Sequence, residues 1–234
     1  MVRRCRPWQK LLAALTLSLV IVATYSTGSM AHFQMILPSD DLIEEDESNE
    51  IELQLVFTHP AEAHHTMNMD KPLKFGVYHK GKAQDLTDTL EGFEFHDAEA
   101  WRTEFVARGG GDFVFYLVPR PYYESMEDAY ITQYTKLVVN NAGFPTDWDV
   151  ELGLEAEIVP LCKPYGLWTG NVFQGLVKHN GEPVPYAEIE VETLNAGAFS
   201  DLICVGQRYP SSTHVTQVIK ADENGVFTYG IPKA

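Results

Sequence analysis

Twelve residues, His59–Asp70 (HPAEAHHTMNMD), hold three histidines, two methionines, a glutamate and an aspartate. Five of those seven side chains offer imidazole nitrogen or thioether sulfur, the donors that bind late first-row transition metals. Pro60 stands second in the stretch and excludes a continuous helix or central strand there, so the segment reads as a metal-binding loop. His59, His64, His65, Met67 and Met69 are its candidate ligands, Asp70 can complete the set, and Glu62 can orient a histidine from behind. Each histidine alone has an ordinary alternative as a capping or solvated loop residue; their number in one loop is what points to metal. Met67 and Met69 would share one face of an extended segment, which core packing explains as well as thioether ligation does. Imidazole suits nickel, cobalt, copper and zinc alike, and methionine sulfur favours copper(I), so the donor types leave nickel and copper both open.

One further candidate depends on how the chain begins. Arg3, Arg4, Arg6 and Lys10 precede the apolar run Leu11–Ala23, and Ser29-Met30-Ala31 supplies small residues at −3 and −1, the pattern of a cleavable secretory signal. The run is shorter than the roughly twenty residues that span a bilayer; an uncleaved anchor is the alternative. Cleavage after Ala31 predicts an exported chain of about 203 residues that starts at His32. Its α-amine, with an unperturbed pKa near ~8, and its imidazole could then chelate one metal ion after losing a proton. The ordinary alternative is a frayed terminal residue, but Phe33, Met35, Ile36 and Leu37 follow at once and predict a docked strand.

The net charge is −16, and loss of the leader, which carries four basic residues and no acidic ones, takes it to −20. That balance argues against nucleic acid and anionic lipid as partners, since both call for basic patches, and it attracts cations. The acidic run Asp40–Glu50 reads as a solvated loop without the spacing of a calcium loop. Cys5 leaves with the leader, so Cys162 and Cys204 remain as a disulfide of an oxidising compartment or as two buried thiols. Neither has a second cysteine at zinc or thioredoxin spacing.

The elements that must carry the loop are strands. Ile51, Leu53, Leu55 and Phe57 alternate with Glu52, Gln54 and Val56, the period of a half-buried strand that delivers the chain to His59. Further strands are predicted over Leu73–His79, Trp101–Ala107, Asp112–Val118, Tyr130–Asn140 and Glu151–Pro160, separated by glycine, proline and asparagine clusters. Only Glu124–Tyr130 suggests a helical turn. Pro160–Trp168 reads as a boundary, after which Asn171–Lys178 and Val184–Thr193 flank Asn180-Gly181, a strong hairpin signal. The fold class is therefore all-β, with two β-sandwich domains in tandem: a leader over 1–31, a metal-binding sandwich over 32–165 and a second sandwich over 166–234.

The second segment, GLVKHNGEPVPYAEIEVET, resembles the small transthyretin-like, carboxypeptidase-regulatory type of sandwich through Gly175, Val177, Gly181, Pro183, Val184, Ala187, Ile189 and Val191. ADENGVFTYGIP resembles the closing hairpin of that module, whose role is structural. Such a module normally continues beyond Ala234, so a truncated chain with an open sheet edge is expected. HFQMILPS, FTHPAEAHHTMNMDKPLKFGVYHKGKAQDLTDTL and YGLWTGNVFQGLVKHNGEPVPYAEIEVE together resemble a family of exported proteins, a domain of nominally unknown function known as the periplasmic component of nickel/cobalt uptake. The resemblance spans His32 to Ala234 and is most specific at HP, a following histidine and MxMxKP. It implies a periplasmic, non-enzymatic protein that binds Ni2+ or Co2+ as cargo through His32, His59, His64 or His65, Met67 and Met69. The implied recipient is an inner-membrane energy-coupling-type transporter. A copper alternative stays open, including an oxidative enzyme built on an amino-terminal histidine brace with Tyr122, Tyr123 or Trp148 as a platform. Methionines beside such chemistry would be oxidised. A purely structural two-sandwich protein is the third reading. Among the remaining histidines, His179 is expected in a turn and His214 in a strand, and His96 is unassigned.

Overall fold

The computed structural model describes residues 32–61, 65–125, 128–195 and 215–232. The leader, Glu62, His64, Cys204 and His214 lie outside them, and so does the question of a Cys162–Cys204 pair. Among the described residues the fold is all-β, the single helical element being one 3-10 turn at Thr87–Thr89. No helix among them is long and apolar enough to cross a membrane.

In chain order the strands of the first half are β1 (Phe33–Pro38), β2 (Leu42–Ile43), β3 (Glu50–Thr58), β4 (Lys74–His79), β5 (Lys82–Asp85), β6 (Glu91–Phe95), β7 (Ala98–Val106), β8 (Gly111–Val118), β9 (Tyr122–Glu124), β10 (Ala129–Ile131) and β11 (Thr135–Asn141). They are followed by β12 (Ala156–Pro160), β13 (Val172–His179), β14 (Glu182–Pro183), β15 (Glu188–Val191), β16 (Gln217–Lys220) and β17 (Val226–Gly230). One sheet runs β1-β3-β7-β6 and a second runs β2-β11-β8-β4-β5. Their inner faces meet in one core that includes Ile51, Leu53, Leu55 and Phe57 of β3, Phe75 and Val77 of β4, and Phe113, Phe115 and Leu117 of β8. Full burial of each such side chain contributes about 1.5–3 kcal/mol relative to exposure.

Local chemistry explains the connections. Three two-residue turns, Lys80-Gly81, His96-Asp97 and Asn180-Gly181, have both residues at positive φ, the backbone that matches the twist of a tight hairpin. His96 and Asn180 are therefore turn residues, while His179 ends β13 and pairs with Glu182. Of the stretch Glu124–Tyr130, the described ends belong to β9 and β10, which pair antiparallel, Glu124 opposite Ala129 and Tyr123 opposite Tyr130. The rings of Tyr123 and Tyr130 meet at a tilt of 58° with centroids 5.3 Å apart.

The second sheet system starts with β12, ahead of the proline-rich stretch. β12 pairs with β13, Ile158 opposite Val177, so the strand expected to close the first sandwich hydrogen-bonds across the expected boundary at 165/166. On the far side of β13 lie β14 and β17, and β15 pairs with β16. Ile189, Ala221 and Phe227 form the core there, packed against Phe173, Val177 and Ile219. Gly175 makes this packing possible, because a Cβ at that position would lie 2.7 Å from the Phe227 ring and 2.9 Å from Ile158. The described residues all belong to one compact unit.

Two carboxylates hold the connecting segment. Asp112, with no exposed surface, accepts hydrogen bonds from Asn140 Nδ2 at 2.7 Å and from the backbone N–H groups of Thr146, Asp147 and Trp148 at 2.6, 2.9 and 3.1 Å. The Tyr165 hydroxyl, from the stretch read as a linker, joins the same carboxylate. Glu157 of β12 accepts from the backbone of Leu152 and Gly153 and pairs with Lys136 of β11 at 2.6 Å, its own side chain 1% exposed.

Candidate metal centre

The register of β1 against β3 builds the site. Phe33 lies opposite Thr58 in an antiparallel ladder, so the residue before one and the residue after the other face each other as well. These residues are His32 and His59. Their rings lie 4.1 Å apart between centroids at an interplanar angle of 36°, and His59 is only 3% exposed. Phe57 meets the His32 ring edge-on at 6.0 Å, and the Tyr122 ring packs on Phe57 at 4.8 Å.

Beyond His59 the chain turns back on itself. The hydroxyls of Thr58 and Thr66 are 3.0 Å apart, and Met67 N–H donates to the Phe57 carbonyl at 2.8 Å, closing residues 59–66 into a loop. Asn195, from the second sheet system, clamps the loop's first half through its N–H to the Pro60 carbonyl at 2.9 Å and its side-chain amide to the Ala61 carbonyl at 3.1 Å. His65 has a left-handed backbone, φ 56°. Its carbonyl accepts the Nε2–H of His32 at 3.1 Å.

That hydrogen bond decides the chemistry of His32. A carbonyl can only accept, so the proton of the neutral ring sits on Nε2 and Nδ1 keeps its lone pair. Nδ1 is the nitrogen nearest the residue's own backbone nitrogen. Burial, followed by the neighbouring His59 ring, pushes the His32 pKa below the usual imidazole value, against the opposing pull of the His65 carbonyl and of Glu124. The ring is thus neutral at pH 7, the state in which imidazole ligates a metal.

The other sequence candidates are placed differently. Met69 is 1% exposed in the main core and Met67 packs against that core, so both thioethers are occupied by packing. The segment is stitched to β7: Met69 N–H donates to the Glu99 carbonyl at 2.9 Å, Trp101 Nε1 donates to the Met69 carbonyl at 2.8 Å, and Asn68 Oδ1 accepts from Glu99 N–H at 2.8 Å. Alternation along this stretch turns Met69 inward and leaves Asp70 exposed. His65 is exposed, and His64 lies outside the described residues. Among the described residues no group of three or more His, Cys, Asp and Glu side chains converges on one point. Of the aromatics considered as a platform, Tyr122 is packed on Phe57, and Trp148 belongs to the loop held by Asp112, to which its N–H donates.

Three residues of the site's surroundings carried no signal in the sequence: Glu124, whose charge acts on His32, Asn195 and Gln133. Gln133 contacts the backbone on both sides of Phe33, its Nε2 donating to the His32 carbonyl at 2.7 Å and its Oε1 accepting from Gln34 N–H at 2.7 Å. Of the candidate donors, the described residues thus bring together the imidazoles of His32 and His59, while the Met67 and Met69 side chains pack with the core.

No curated protein and no solved structure matches the chain. A family model does match, over residues 29–234, so the chain belongs to the family described as a domain of unknown function, DUF4198.

Proposed function

We propose that this protein is a periplasmic metal-binding protein that captures Ni2+ or Co2+ and delivers the ion to an inner-membrane transporter of the energy-coupling type. The single observation that carries the reading is the His32–His59 pair, with His32 Nε2–H donated to the His65 carbonyl and Nδ1 left free. If the leader is removed after Ala31, the new α-amine and Nδ1 of His32 chelate the ion through one residue, and His59 supplies a third nitrogen. The −20 charge of that mature form draws divalent cations toward it. A site made from a terminus and a loop can open for handover, which a closed cage of four side chains cannot do without unfolding. The likeness to the nickel/cobalt-uptake family supports the choice of metal and partner.

Calorimetric titration of the chain starting at His32 with Ni2+, Co2+ and Cu2+ tests the reading. Micromolar or tighter nickel or cobalt binding is expected. It should be lost in His59→Ala and also when one alanine is added before His32, which blocks the chelate without altering any side chain. Binding that survives both changes, or no binding at all, overturns the reading. The same three nitrogens also form the donor set of a copper brace, so copper-only binding together with peroxide-driven cleavage of a polysaccharide would establish the enzyme alternative.

A further inference from the structure

In an extended strand, the carbonyl of residue 32 and the N–H of residue 34 point to the same side, opposite to the groups of residue 33. Residue 33 pairs with Thr58 of β3, so the pair from 32 and 34 faces outward, along the free edge of β1. Among the described residues, the side chains of Gln133 and Thr135 bond to that edge. Gln133 donates from Nε2 to the His32 carbonyl and accepts at Oε1 from Gln34 N–H, both at 2.7 Å, so that a primary amide stands in for one peptide unit of a neighbouring strand. The same Nε2 lies 3.5 Å from the Tyr122 hydroxyl, and Thr135 Oγ1 donates to the Gln34 carbonyl at 2.7 Å.

We propose that Gln133 is the positioning residue of the His32 centre. It makes no bond to the metal. It fixes the backbone of the first residue of the mature chain, so that the α-amine and Nδ1 meet the ion in one orientation toward His59. A terminal residue held on one edge only would rotate freely, and ordering it on binding would subtract from affinity. Groups that orient metal ligands typically change affinity 10–100-fold when removed. This role rests on the metal-capture reading.

The experiment uses the chain starting at His32 and compares Gln133→Met, Gln133→Glu and Thr135→Val. Three quantities are measured: nickel affinity by calorimetry, the visible absorption and circular dichroism of bound nickel, and amide hydrogen exchange of residues 33–36 without metal. Gln133→Met should weaken nickel about 10–100-fold, change the ligand-field bands and speed exchange at Gln34, with the remaining strands still protected. Gln133→Glu keeps an acceptor for Gln34 N–H but loses the donor to His32, so it should show the same spectral change and weaker binding even if the methionine variant folds poorly. Thr135→Val removes the hydroxyl's bonds to the Gln34 and Gln133 carbonyls but leaves the Gln133 amide on His32, so it should weaken nickel far less than either Gln133 change. Wild-type affinity and bands in both Gln133 variants, or an equal loss in Thr135→Val, would overturn the positioning role alone. A wild-type chain that takes up no nickel would overturn the capture reading, and this role with it.

Discussion

Replacing Asp112 by asparagine changes one oxygen to an amide and should remove a large part of the stability that joins the two sheet systems. The carboxylate is fully buried and accepts from Asn140 Nδ2, three consecutive backbone N–H groups at Thr146–Trp148, and the Tyr165 hydroxyl. In the variant, an NH2 group faces donors it cannot accept from. The Thr146–Trp148 loop can recover water by lifting away, whereas Asn140, itself fully buried, cannot. Hydrogen bonds to charged groups contribute about 1.5–3 kcal/mol each and are not additive, so the loss at neutral pH should be about 3–5 kcal/mol. A chain of this size has a Tm shift of roughly 2–4 °C per kcal/mol, giving a fall of roughly 10 °C. The pH dependence provides a sharper test. Burial alone would raise the Asp112 pKa, but hydrogen bonds from Asn140, Thr146, Tyr165 and Asp147 outweigh it and hold the pKa below the usual aspartate value. A depressed folded pKa means that the stabilisation is complete above the unfolded value, near ~3.9. It fades as pH falls through the lower, folded value. Urea midpoints of wild type and Asp112→Asn, measured from pH 7 down to about pH 2.5, should therefore differ most at neutral pH and converge in acid. A gap under about 1 kcal/mol at pH 7, or one of equal size at both ends of the range, would refute the reasoning.

Substitutions at Met69 and at the Lys136–Glu157 pair examine the surroundings of the candidate site and the joint between the sheets. Met69 is buried in the main core, so Met69→Leu should cost less than about 1.5 kcal/mol and leave metal binding intact. Met69→Ala should cost about 2–5 kcal/mol by opening a cavity; a folded Met69→Leu protein that no longer binds nickel would show the thioether to be a ligand after all. Lys136→Met leaves the 1%-exposed Glu157 carboxylate without its cationic partner at 2.6 Å, which should cost about 3–5 kcal/mol in urea denaturation. The added change Glu157→Gln should recover part of that loss, and a single variant as stable as wild type would disprove the claim that this pair joins β11 to β12.

Features set by neighbouring residues could be read without a structure. The alternation of Ile51, Leu53, Leu55 and Phe57 marked β3, and Asn180-Gly181 marked a hairpin, because strand faces and tight turns depend on spacings of two residues and on backbone angles that few residues accept. The all-β class follows from many such segments. The concentration of histidine after β3 marked the metal candidates for the same reason: composition is a local property. The roles of individual donors were not legible. Met67 and Met69 share a face, but only the tertiary packing, with Met69 in the main core and Met67 against it, shows where that face points. The prolines mark a change of direction, but that β12 before them pairs with β13 after them is a long-range fact that they do not reveal.

His32 and His59 were both candidates on chemical grounds, yet nothing in the order of residues said that they touch. Their meeting depends on β1 choosing β3 as its partner with Phe33 opposite Thr58; a slip of one residue would turn every β1 side chain to the other face. Gln133 is about a hundred positions from the backbone groups it holds and sits among residues of no unusual composition, and Asp112 is a single aspartate at the start of a strand. By itself the sequence determined the all-β class, the longer strands and which side chains are chemically able to bind a metal. Tertiary structure alone decided which of them converge, because convergence depends on the register of strands distant along the chain, and that register is fixed by the sum of many weak packing contacts.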